Sequence, residues 1–91
     1  MISFIGNGNM GRAILGGILN AGLYQKNEIT VADCNRNGLL KTAEQYGVAI
    51  TEKNTEAAKA ADVLVLAVKP QILYQVIEEI RDEVSESCLI I

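Results

Sequence analysis

The 91-residue sequence contains no histidine and no tryptophan, and holds only one proline, one phenylalanine and two cysteines. Without imidazole it lacks the side chain that most often serves as general base or metal ligand near neutral pH. Cys34 and Cys88 are widely separated and form no C-x-x-C pair, so a zinc site or redox motif is not expected, and both thiols are expected free in a reducing compartment. Paired carboxylates and an activated nucleophile are missing too, which leaves no catalytic residue and no metal ligand to assign. Basic residues are sparse: 8 Lys and Arg against 11 Asp and Glu give a formal charge of −3, the wrong sign for a nucleic-acid footprint. The longest apolar run, Val63 to Val68, is far shorter than a bilayer crossing, and no basic leader with a cleavage site precedes the first strand pattern. These absences predict a cytoplasmic domain with neither a nucleic-acid nor a membrane partner.

What the sequence does hold is a hydrophobic fraction of 49% and 8 glycines, enough apolar material for one domain spanning residues 1–91. The short apolar run Ile2-Ser3-Phe4-Ile5 leads directly into Gly6-Asn7-Gly8-Asn9-Met10-Gly11, a G-x-G-x-x-G turn. A helical stripe of Ile14, Leu15, Ile18 and Leu19 follows, with Gly22 as its stop. In such a strand-turn-helix setting the first glycine permits a tight turn, the second lets the backbone approach a pyrophosphate, and the third lets helix and strand pack. Unpaired N–H groups at the helix start and the positive end of the helix dipole favour the phosphates. The candidate dinucleotide contacts of this segment are Ile5, Gly6, Asn7, Gly8, Asn9, Met10 and Gly11. Gly16 and Gly17, further along the helix, are expected to serve close packing against the sheet.

Further on, Glu28 to Ala32 is short and β-branched and ends in Asp33. Asn35 or Asn37 can cap a second helix carrying Leu39, Leu40, Ala43 and Tyr46, with Gly47 as a left-handed C-terminal residue. Val48 to Ile50 reads as a third strand. Asn54 or Thr55 can cap a brief third helix through Ala61, and the continuous apolar run Val63 to Val68 reads as a central parallel strand. Pro70 opens a fourth helix whose stripe is Ile72, Val76, Ile80 and Val84, with Glu78, Glu79, Asp82 and Glu83 on its wet face. Cys88 to Ile91 begins a fifth strand. Alternating strands and helices predict an α/β fold, a Rossmann-type doubly wound parallel sheet of order 3-2-1-4-5. Tyr24, Tyr46 and Tyr74 are expected to be partly buried packing residues.

Asp33 stands 22 positions beyond Gly11, close to where an acidic side chain would bond the adenosine ribose of NAD. Arg36, three residues later, could instead clamp the 2′-phosphate of NADP, so both NADP(H) and NAD(H) remain open as cofactors. Ala67-Val68-Lys69-Pro70 ends the fourth strand at the switch point, where proline biases Lys69 to an extended backbone that would hold the main chain against the cofactor. Asn54 could be a helix cap, an adenosine contact, or both. Since such folds usually receive their substrate from a second domain, residues 1–91 are expected to bind a dinucleotide yet to be inactive alone.

Three segments together resemble the N-terminal domain of pyrroline-5-carboxylate reductase: ISFIGNGNMGRAILGG from Ile2 to Gly17, Ile29 to Gly47 with its Asn35-Arg36, and ADVLVLAVKPQ from Ala61 to Gln71. The similarity spans essentially the whole chain. It implies that Gly6 to Gly11 cradle the pyrophosphate, that Asp33, Asn35 and Arg36 surround the adenosine ribose and any 2′-phosphate, and that Asn54 touches the adenosine side. Val68, Lys69 and Pro70 would lie along the nicotinamide half. The implied reaction is hydride transfer from NAD(P)H to the C=N carbon of 1-pyrroline-5-carboxylate, giving L-proline. In that family a helical C-terminal domain, absent from residues 1–91, supplies the substrate pocket and the contacts of a homo-oligomer. Asp33 departs from the small polar residues of strongly NADPH-preferring members. The rivals are a nucleotide-binding module without catalysis, and a 3-hydroxyacid dehydrogenase or coenzyme F420-dependent NADP reductase, which the Ala67 to Gln71 segment opposes.

Overall fold

The structure, a computed structural model, describes residues 1–91. Five strands, β1 (Ile2–Ile5), β2 (Ile29–Ala32), β3 (Ala49–Thr51), β4 (Val63–Leu66) and β5 (Leu89–Ile90), form one sheet in the order β3-β2-β1-β4-β5. Every pairing is parallel. The helices α1 (Asn9–Asn20), α2 (Arg36–Tyr46), α3 (Asn54–Ala60) and α4 (Pro70–Ile80) alternate with them. This is the doubly wound α/β fold that the alternation predicts.

The side chains of a strand point to opposite faces in turn, and the two faces of this sheet each carry a core. Ile2 and Phe4 of β1, Ile29 and Val31 of β2 and Val65 of β4 pack with Leu15 of α1 and Leu39 of α2. On the other side Ile5, Ala32 and Leu64 meet Ala57, Ala58 and Ala61 of the α3 segment together with Val76 and Ile80 of α4. The small alanines bring α3 close to β1. Ser3, on the same face of β1 as Ile5, is fully buried and its hydroxyl has no hydrogen-bond partner.

Several boundaries differ from expectation for local reasons. A 3-10 turn at Lys26–Glu28 takes up Glu28, so β2 begins at Ile29. β3 lies one residue later than Val48–Ile50, because Val48 is buried among the core side chains while Ala49 to Thr51 pair with β2. β4 stops at Leu66 rather than Val68. Gly16 faces the Tyr46 side chain of α2 rather than the sheet, and a Cβ on Gly17 would meet nothing, so sheet packing accounts for neither. Tyr24 and Tyr46 pack on the core as expected, whereas Tyr74 is 83% exposed on the outer side of α4. Glu78 and Glu79 of α4 do face solvent, and Glu79 accepts from Asn54 of α3; α4 ends before Asp82 and Glu83, and half-buried Glu83 lies 3.5 Å from Lys59 of α3. No helix is long and apolar enough to cross a membrane.

Candidate functional site

The carboxyl ends of β1, β2 and β4 point to the same edge of the sheet, where order 3-2-1-4 reverses direction between β1 and β4. Ligands of such sheets bind at this switch point. A cleft of about 430 Å³ opens there, walled by the β1–α1 turn, the β2–α2 turn and the β4–α4 connection.

Each glycine of the β1–α1 turn has a different neighbour. Gly6 has φ +107°, a conformation other residues rarely adopt, and a Cβ there would overlap the carbonyl of Ala67. A Cβ on Gly11 would come within 2.7 Å of the Gly6 carbonyl oxygen. Both are glycine because the protein itself leaves no room. Gly8 is the opposite case, since a Cβ on it would meet nothing within 4 Å. Its φ of −81° is also open to any residue. Nothing within the chain requires glycine at this position, whereas a ligand lying against the backbone would.

The helix that begins here is left open toward the cleft. Gly8 is the N-cap of α1 and offers no side chain to its first N–H groups, and the first turn contains no acidic residue. Arg12 bonds back to the Asn9 side chain at 2.9 Å. A 12-residue helix with unsatisfied N–H groups and the positive end of its dipole facing a cleft suits an anion.

The β2–α2 turn is built around Asp33. Its Oδ2 accepts the Asn7 N–H at 2.7 Å and its Oδ1 accepts the Asn35 N–H at 2.9 Å. The Asn35 side chain caps α2 by accepting the Gly38 N–H at 3.1 Å. Asn7 is held from the other side, where its Oδ1 accepts the hydroxyl of buried Thr42 at 2.9 Å. These bonds fix the glycine turn against the end of β2. On the far wall the Ala67 N–H donates to the Ile5 carbonyl at 2.8 Å, carrying β1–β4 pairing one residue beyond β4. Lys69 is extended, with ψ 146°, and Pro70 is the first residue of α4, as the proline requires.

Of the residues singled out from the sequence, Gly6, Asn7, Gly8, Asp33, Asn35, Ala67, Val68 and Lys69 line this one cleft. Gly11 is buried beneath it, and Ile5 lines a smaller adjoining hollow with Asn54. Asn9 and Met10 lie exposed on the opening turn of α1, and Pro70 on that of α4. One expectation needs correcting. Asn54 is not a helix cap: Lys53 occupies the N-cap, the Thr51 hydroxyl accepts the Lys53 N–H, and the Asn54 amide donates to Glu79 at 2.8 Å. Arg36 is not among the residues lining the cleft, and its guanidinium pairs with Glu52 at 2.9 Å. Three lining residues were not singled out: Cys34, Gly38 and Ile72. Cys34 could have been found from its place between Asp33 and Asn35. Ile72 reads as part of the core stripe of α4 but lies in its first turn, beside the opening.

Comparison with known proteins accords with this geometry. A family model described as "NADP oxidoreductase coenzyme F420-dependent" matches residues 1–91. The chain belongs to this family. It is also 36% identical over 90 residues to the pyrroline-5-carboxylate reductase of Escherichia coli strain K12, covering 99% of the chain and 34% of that enzyme. Among solved structures, a pyrroline-5-carboxylate reductase from Coxiella burnetii superposes with a TM-score of 0.91 at 42% identity, over 98% of this chain and 33% of that one. The pyrroline carboxylate reductase of Plasmodium falciparum, solved with NADP bound, superposes with a TM-score of 0.82 at 28% identity, over 98% and 31%. The chain thus spans about one third of the length of the relatives it matches, corresponding to their N-terminal NAD(P)-binding domain.

Proposed function

We propose that this chain is the coenzyme-binding domain of a pyrroline-5-carboxylate reductase. The observation that carries the reading is Gly8, a glycine that no neighbouring atom demands, set at the uncapped start of a helix that opens on the switch-point cleft. The residues present fit a dinucleotide: backbone from Gly6 to Gly11 against the pyrophosphate, Asp33 and Asn35 on the adenosine ribose, with Arg36 and Asn54 near that end, and Val68 and Lys69 along the nicotinamide half. When bound, the reduced nicotinamide supplies a hydride to the C=N carbon of 1-pyrroline-5-carboxylate while the nitrogen takes a proton, yielding L-proline. The chain's own part is to bind and orient the coenzyme. A second, helical domain brings the substrate and the subunit contacts, because nothing in residues 1–91 forms a pocket for the imine with acid–base groups around it.

The test is to join residues 1–91 to the C-terminal two thirds of the Escherichia coli relative and follow NADPH oxidation with 1-pyrroline-5-carboxylate. Substrate-dependent turnover by the joined protein, and none by residues 1–91 alone, is the expected result. A joined protein that folds and binds NADPH but does not turn over contradicts the reading that residues 1–91 hold the coenzyme as this reaction needs it. The family description favours one other reading, a reductase working with coenzyme F420; NADP-dependent turnover of that coenzyme by residues 1–91 joined to the substrate domain of such a reductase would support it instead.

A further inference from the structure

We propose that Glu52 is a specificity-determining positioning residue: by holding Arg36 it weakens the preference of the cleft for a 2′-phosphorylated dinucleotide over an unphosphorylated one. The inference rests on the dinucleotide reading above. Register brings the two residues together. Ala32 of β2 pairs with Thr51 of β3, and the Asp33 N–H donates to the Thr51 carbonyl at 3.3 Å, so Glu52 emerges beside the β2–α2 turn. There Arg36 Nη1 meets Glu52 Oε2 at 2.9 Å, the one ion pair that Arg36 makes.

The backbone on either side of Arg36 is fixed. Asn35 is bonded to Asp33 through its N–H and caps α2 through its side chain, and Arg36 is the first helical residue. Its long side chain is free to choose a partner. From Asp33 to Leu40 it is the only cation, and the next on α2, Lys41, lies more than a helical turn further on. Glu52 and Lys53 follow β3 directly in the chain, and Glu56 accepts the Thr51 hydroxyl at 2.9 Å. A phosphate monoester adds roughly 1.5 to 2 further negative charges and offers three acceptor oxygens, which makes it the stronger partner for a guanidinium. Taking Arg36 nevertheless means breaking its bond to Glu52. Both side chains are largely exposed, at 69% and 48%, so the pair is solvent-screened and worth little. Its loss corresponds to roughly a two- to fivefold change in an equilibrium constant. A ribose with a free 2′-hydroxyl draws on Asp33 and makes no such demand.

The experiment measures dissociation constants of NADPH and NADH for the 91-residue chain and for Glu52→Gln, Glu52→Asp, Arg36→Ala and the double variant Glu52→Gln/Arg36→Ala. Glu52→Gln is expected to tighten NADPH roughly two- to fivefold and leave NADH unchanged. Glu52→Asp is expected to lie between it and the parent, and the gain is expected to vanish in the Arg36→Ala background. A gain shared by both coenzymes, a gain that persists without Arg36, or weaker NADPH binding in Glu52→Gln overturns the proposal. If the parent binds both coenzymes and Glu52→Gln changes neither, the proposal alone fails. If the parent binds neither, the dinucleotide reading fails with it.

Discussion

Asp33 and Asn7, 26 positions apart, are joined by a 2.7 Å hydrogen bond from the backbone N–H of Asn7 to the carboxylate. The side chain expected to recognise the ribose therefore also holds the glycine turn in place, and its second oxygen fixes the start of α2 through Asn35. Recognition and scaffold share one carboxylate. Replacing it by alanine leaves two backbone donors without their partner, and hydrogen bonds to a charged group are worth about 1.5–3 kcal/mol each. Asp33→Ala is expected to lower unfolding stability by about 2 kcal/mol or more and to weaken both coenzymes. Urea unfolding and calorimetric titration check the two effects; unchanged stability would mean that Asp33 does not anchor the turn.

The two thiols are expected to differ in reactivity. Cys34 is exposed and lines the cleft, whereas Cys88 is half-buried. Burial first, and the negative charge of Asp62 second, push the Cys88 thiol above its ordinary value. A raised pKa means less thiolate at any pH below it, so iodoacetamide at pH 8 is expected to modify Cys34 first, with Cys88 catching up as the pH rises. NADPH is expected to slow modification of Cys34 and leave Cys88 unaffected. Mass-spectrometric time courses read both sites at once, and a Cys34 rate indifferent to NADPH would count against the cleft as the binding site.

Ser3 carries a fully buried hydroxyl with no partner in the middle of β1. An unsatisfied buried polar group costs on the order of 1–3 kcal/mol. Ser3→Ala keeps the small volume that lets α3 lie close and removes the hydroxyl, so it is expected to be neutral or to stabilise by about 1 kcal/mol. Thermal and urea unfolding measure this. A clear loss of stability would mean that the hydroxyl is satisfied in solution.

The fold was legible from the residues because its signals are local: short apolar runs for the strands, four-residue stripes for α1 and α4, and Gly47 with φ +72° where a left-handed end was expected. The glycine turn was equally plain. Long-range partner choice was not legible. Whether Arg36 reaches a cleft or a carboxylate depends on the β2–β3 register, which places Glu52 16 positions away within 2.9 Å. Likewise, an asparagine at the start of α3 reads as a cap until Glu79, on another helix, is found to accept its amide. Ile72 illustrates the same limit, since a stripe defines the apolar side of a helix but not which of its residues borders an opening.

The most direct measurement is calorimetric titration of NADPH into the 91-residue chain and into Gly8→Val, with urea unfolding of both. A branched side chain at Gly8 meets no protein atom, so the fold should survive, but it would fill the space against the backbone where the pyrophosphate is to lie. The expected result is saturable one-to-one binding by the parent and none by Gly8→Val. The unfolding midpoints of the two should lie close together. Equal affinity for the two proteins, or no binding by the parent, would contradict the assignment of this chain as a dinucleotide-binding domain.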